Sequence, residues 1–154
     1  MNGPFTDISD IALLTRLLNN LTAETRPLWG SLTPQAMIEH LATAVQYTNG
    51  QKFAALEVTE EEASTRKQQV VRPELIIPKN VKGPLDDTAP LRYKDLSAAI
   101  EELLHQVQLF HTYYSIPGRS AVHPTFGALS HEEWLMWHGK HFAHHFTQFG
   151  LLPE

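Results

Sequence analysis

Cysteine is absent from the 154 residues. That excludes disulfide frameworks, thiolate nucleophiles and every cysteine-ligated zinc or iron–sulfur centre. Positive charge is scarce as well: 12 Lys+Arg against 17 Asp+Glu leave a net charge of −5. A nucleic-acid binder normally offers a basic face to phosphates, so no nucleic-acid partner is expected. No apolar run approaches the roughly eighteen residues that a bilayer span needs, so no membrane partner is expected either. The opening MNGPFTDISD has neither the basic start nor the apolar stretch of a signal peptide, and the expected location is cytoplasmic. With 42% hydrophobic and 19% charged residues, the composition is that of one globular domain over residues 1–154. What the chain has in abundance is histidine. Five of its nine histidines lie between His131 and His145, so any metal chemistry here is imidazole chemistry.

Helical periodicity organises the rest. Ile8, Ile11, Leu14, Leu18 and Leu21 recur at spacings of three and four, which predicts a first helix from Thr6 to Leu21 capped by Thr6 or Asp7. A second helix opens at Thr33 with Pro34 in its first turn and carries Met37, His40, Leu41 and Ala44 inward. Asn49-Gly50 is its stop. From Gln51 to Lys94 four prolines and the acidic run Glu60–Glu62 break the pattern. That stretch is expected to be an irregular excursion across the molecule, with Gln69–Arg72 and Leu75–Ile77 extended or paired as a short hairpin. A third helix is expected over Asp95–Ser115, then a loop over Gly118–Leu129. The last helix opens on the capping-box pair Ser130 and Glu133 and runs to Gln148. Four amphipathic helices pack most simply as an all-α four-helix bundle.

On the last helix, a rotation of roughly 100° per residue places His145 about 40° and His138 about 60° from His141. Leu135, Phe142, Phe146 and Phe149 form a separate apolar face. The i,i+4 pair His141 and His145 can bring two imidazole nitrogens to one ion, at about 2.1 Å each. A third ligand would come from another helix. His40 interrupts the apolar stripe of the second helix and leads; His111, between Val107 and Tyr114, is the alternative. The competing explanation for each is a hydrogen-bonded core histidine, and for an i,i+4 pair an exposed face. His105 and His131 read as surface residues, while His123 is undecided.

Two stretches carry a resemblance. Arg26–Leu41 (RPLWGSLTPQAMIEHL) and His123–Ser130 (HPTFGALS), the latter followed by Glu133-Trp134 and by Lys140–Gly150 (KHFAHHFTQFG), resemble the DinB/YfiT-like superfamily and its DUF1569 branch. The ending His-x-x-x-His-x-x-Gln is the most specific part. The resemblance implies an up-down-down-up four-helix bundle, usually a homodimer, holding a divalent metal on three histidines. The family's single histidine falls on His40 and its pair on His141 and His145. Among divalent ions, zinc or nickel comes first. Characterised relatives include thiol-dependent S-transferases and isomerases, and others are described as metal-dependent hydrolases.

Three neutral imidazoles leave the ion its full charge and at least one open position. A hydrolase or a thiol-dependent transferase acting on a small molecule is the expected function. With no cysteine in the chain, a low-molecular-weight thiol would arrive as cosubstrate. Either the metal supplies its own hydroxide, or His138 or His144 acts as the catalytic base. A fourth ligand such as His138 would instead favour a non-catalytic, stress-related metal-binding bundle, and an ion-free structural homodimer is the remaining alternative.

Overall fold

Each described helix begins beside a side chain that caps it. The computed structural model describes residues 4–70, 72, 77–79 and 89–154. Among these, α1 spans Ile11–Leu18, α2 Pro34–Gln46, α3 Glu60–Val70, α4 Leu96–Tyr113 and α5 His131–Gln148; β1, Ser120–His123, and β2, Gly127–Ser130, precede α5. Asp10, Thr33, Thr59, Asp95 and Ser130 each accept a hydrogen bond from a first-turn amide, satisfying a donor that has no intrahelical partner. Ser130 and Glu133 close the expected capping box, with Glu133 Oε1 accepting from Ser130 N at 3.0 Å.

The chain is mostly helical, but it is not all-α. The segment expected to be a loop before α5 contains an antiparallel hairpin, pairing Ser120 with Ser130 and His123 with Gly127. Its strands are only four residues long, too short for an alternating pattern to stand out. Gly127, at φ 75°, takes the left-handed conformation that returns the chain.

Two further expectations are corrected. The first helix starts at Ile11 rather than Thr6, because Asp7 Oδ1 accepts from Ser9 N at 2.9 Å in a local turn and Asp10 takes the cap. Thr6 and Ile8 are nonetheless buried, and Thr6 N donates to Gly139 O of α5 at 3.0 Å. The excursion over 51–94 is not wholly irregular, since it contains α3. Among its described side chains this helix buries only Ala63, and it has no apolar stripe to read. It is held by polar contacts instead: Glu60, Glu61 and Glu62 sit at its positive N-terminus, Arg66 pairs with Glu62 at 2.6 Å, and Lys67 reaches Ala128 O and Glu133. Gln69 belongs to this helix and is not extended. The expected extended stretch Leu75–Ile77 lies outside the described residues except for Ile77, which is in neither helix nor strand.

The core gathers Leu14 and Leu18 of α1, Met37 and Leu41 of α2, Leu103 and Phe110 of α4, and Phe142 and Phe146 of α5. α2 packs most extensively on α4, which also meets α1, while α2 touches α5. The chain after the excursion is fastened to α2 by Glu39. Its buried carboxylate accepts from the amides of Arg92 (2.8 Å) and Tyr93 (3.3 Å) and from Gln35 Nε2 (3.0 Å). Burial opposes that charge, yet the bonds from Arg92, Gln35 and Tyr93 outweigh it and hold the carboxyl below its ordinary range. Where α2 ends, Gly50 adopts φ +85° with the Tyr113 ring 3.0 Å from where a Cβ would stand.

Candidate metal centre and its cavity

α2 and α5 bring His40, His141 and His145 together. One ring nitrogen from each lies within 4.8 Å of the others. His40 Nε2 and His141 Nε2 are 3.0 Å apart, although 101 positions separate them in sequence. The three ring centroids are 4.9 to 5.1 Å from one another. His40 and His141 are half-buried and His145 is buried. The inward position of His40 follows from its place among Met37, Leu41 and Ala44, and the stacking of His141 on His145 follows from their spacing of four.

Burial drives the electrostatics of the cluster. It pushes the His141 imidazole well below the usual range, reinforced by His145, His40 and their neighbours, and it brings His145 to about 3. Both rings are neutral at pH 7, as a metal ligand must be. Gln148 decides which nitrogen of His145 is available. Its Nε2 donates to Trp29 O at 2.9 Å, so its Oε1 faces His145 Nδ1 at 2.8 Å and accepts the proton there. The lone pair is left on His145 Nε2. His141 Nδ1 is buried with no hydrogen bond among the described residues. Among the described residues no carboxylate belongs to the cluster, so imidazole nitrogens are the donors it offers.

Beside the cluster lies a cavity of about 300 Å³. His40, His141 and His145 line it on one side, and His123, His144 and Tyr47 also reach it. The remaining wall is largely apolar, with Ala44, Phe53, Ile77, Val122, Trp134 and Trp137. Trp137 stacks on His141 at 5.7 Å between centroids.

The other histidines separate cleanly. His144 is half-buried, edge-on to Trp29 at 5.6 Å and bonded to the Ile77 backbone; burial lowers its pKa, which that bond partly restores. His138 is fully buried and does not line the cavity. Its Nε2 lies 3.0 Å from Thr48 Oγ1, whose own proton goes to Val45 O at 2.8 Å, so His138 is the donor. His111, the alternative third ligand, meets Ile8 O through Nε2 at 3.1 Å and stays away from the cluster. His105 is exposed as expected, whereas His131 is half-buried and stacks flat on Tyr114 at 4.9 Å. Two contributors escaped the sequence: Gln148 as the partner that orients His145, and His123 as a wall of the cavity. The His-x-x-x-His-x-x-Gln spacing held the first signal, since residues three apart on a helix are neighbours.

The sequence profile of a family described as "Protein of unknown function (DUF1569)" matches residues 63–150. The chain belongs to the DUF1569 family. The matched segment holds α4, the hairpin and α5, and with them His123, His138, His141, His144, His145 and Gln148. His40 lies outside it, so within this DUF1569 chain the third imidazole is supplied by a preceding helix. No curated protein and no solved structure matches the chain.

Proposed function

We propose that this DUF1569 protein holds one divalent metal ion, zinc or nickel first, on His40, His141 and His145, and uses it as a metal-dependent hydrolase or thiol-dependent transferase. The observation that carries the proposal is the convergence of three imidazole nitrogens within 4.8 Å on the wall of a cavity. We further place the fold among the DinB-like bundles, with α1, α2, α4 and α5 as its four helices in a single domain over 1–154, working as a homodimer in the cytoplasm. When bound, the ion would act as a Lewis acid and activate a water or thiol at its open position.

The chain's own residues supply the surroundings. Gln148 keeps the His145 proton on Nδ1 and so directs Nε2 to the cluster. Trp134 and Trp137 help to exclude water on one side of the cavity. Of the two histidines considered as bases, His144 reaches the cavity, whereas His138 is committed to Thr48. Glu39 is also committed, to Arg92 and Tyr93. His144 is therefore the residue to take up or hand over a proton beside the cluster. A small molecule with an apolar body suits the cavity; a thiol cosubstrate would come from solution, as the chain has none.

Elemental analysis of untagged protein tests the site. About one divalent ion per chain is expected, lost in His141→Ala and in His40→Ala. Equal metal content in the parent and both variants would overturn the assignment. An ion retained with no turnover across thiol and ester substrates would leave a metal-binding module in place of an enzyme.

A further inference from the structure

His123 lies outside the imidazole cluster, and the proposed metal chemistry does not use it. It ends β1, is 5% exposed, and is held in a fixed orientation. Its Nδ1 accepts from the backbone amides of Thr125 at 3.0 Å and Phe126 at 3.3 Å. An acceptor nitrogen carries no proton, so the neutral ring has its single N–H on Nε2. Burial pushes this imidazole down to about 4, which keeps it neutral at pH 7. Phe126 stacks on it at 4.2 Å, and Trp134 and Trp137 pack around it. The Nε2–H has no acceptor among the described residues, although the ring lines the cavity. That N–H is open to water or to a ligand entering the cavity.

The geometry points to His123 Nε2–H as a hydrogen-bond donor to a ligand in this cavity, the ligand being a small uncharged molecule with a flat apolar body and an acceptor oxygen. The apolar wall accounts for the body. The only formally charged side chain lining the cavity among the described residues is Glu57, an exposed carboxylate, which disfavours an anion. His123 and His141 pack against the same Trp137 indole, 5.5 and 5.7 Å from it between centroids. A ligand held by His123 therefore lies beside the cluster without needing the ion for its recognition.

Benzamide, with a flat ring and one carbonyl acceptor, is the probe. Long-range nitrogen–proton NMR on the full chain should show the His123 proton on Nε2, and titrated benzamide should move that resonance. His123→Asn keeps an acceptor oxygen where Nδ1 meets the two amides but removes the distal donor. Benzamide affinity should fall by about threefold to tenfold in it. His123→Phe, which retains ring stacking, should lose the same factor. A proton on Nδ1, no benzamide binding, or affinity in both variants equal to the parent's would each overturn the inference. So would an Nε2–H resonance that benzamide leaves unmoved, the sign of a donor already spent on the Trp137 face. Metal content measured on the same samples keeps the two proposals apart: an ion-free protein with a responsive His123 fails only the metal assignment, and a loaded protein with a silent His123 fails only this one.

Discussion

At the scale of single residues, Gln148 and Gly50 show how a side chain, or its absence, is fixed by its neighbours. Gln148 joins the Trp29 carbonyl to His145 Nδ1 and so settles one tautomer of the cluster. Gln148→Leu removes both bonds while keeping the bulk. Zinc affinity measured by competition with a chelating dye should fall by about 10- to 100-fold, as losses of such partners do. Gln148→Glu, which keeps an acceptor for Nδ1–H, should retain more of the affinity than Leu does. Equal affinity in all three proteins would remove Gln148 from this role. Gly50 and Gly118 share a left-handed backbone, at φ +85° and +83°, but only Gly50 has a ring, that of Tyr113, against its missing Cβ. Each substitution by alanine incurs strain of about 1 kcal/mol. Gly50→Ala must also displace the Tyr113 ring, so its urea midpoint should lie clearly below that of Gly118→Ala. Coincident midpoints would mean that Tyr113 yields freely.

At the scale of elements, legibility followed the strength of the apolar pattern. α2, α4 and α5 could be read because each buries a stripe and opens on a cap, and they emerge within a residue or two of the expected bounds. α3 could not, because charge and a threonine cap hold it where burial does not. The His40, His141 and His145 set was legible from spacing together with resemblance. His123 was not, because its orientation depends on a hairpin that the sequence hid. Polar fastening of α3 also makes a prediction at this scale. Glu133 of α5 accepts from Ser130 N and pairs with Lys67 of α3 at 3.1 Å. Burial opposes its charge, but the bonds to Ser130 and Lys67 hold its pKa below the ordinary 4.5. A carboxyl lowered by folding stabilises fully above its unfolded value, and that contribution is lost as pH falls through the folded value. Glu133→Gln keeps the capping acceptor and loses the ion pair, so it should be less stable at pH 7 by about 0.5 kcal/mol. The gap should shrink below pH 4.5 and close in stronger acid. A gap independent of pH would place the effect in the cap alone.

At the scale of the whole molecule, the cluster joins the two ends of the chain. His40 comes from α2, and His141 and His145 come from α5. An ion bound there is a cross-link present only when the protein is folded. Binding to the native state alone stabilises by about 2.7 kcal/mol at a hundredfold excess over Kd and about 4.1 at a thousandfold. For a chain of this size, each kcal/mol moves the melting temperature by about 2–4 °C. Adding zinc to chelator-stripped protein should therefore raise Tm by about 5–15 °C at such excesses. The unfolded chain still carries five histidines between His131 and His145 and binds some zinc through them, which subtracts from the shift. That subtraction supplies the control. His40→Ala leaves the α5 histidines intact but breaks the link between the two elements. In this variant zinc should stabilise little, or even destabilise by favouring the unfolded chain. A Tm rise equal to the parent's would place the binding site within α5 alone. No zinc dependence in either protein would leave the three imidazoles as packed core rings, with the 3.0 Å contact of His40 and His141 as a hydrogen bond between two of them.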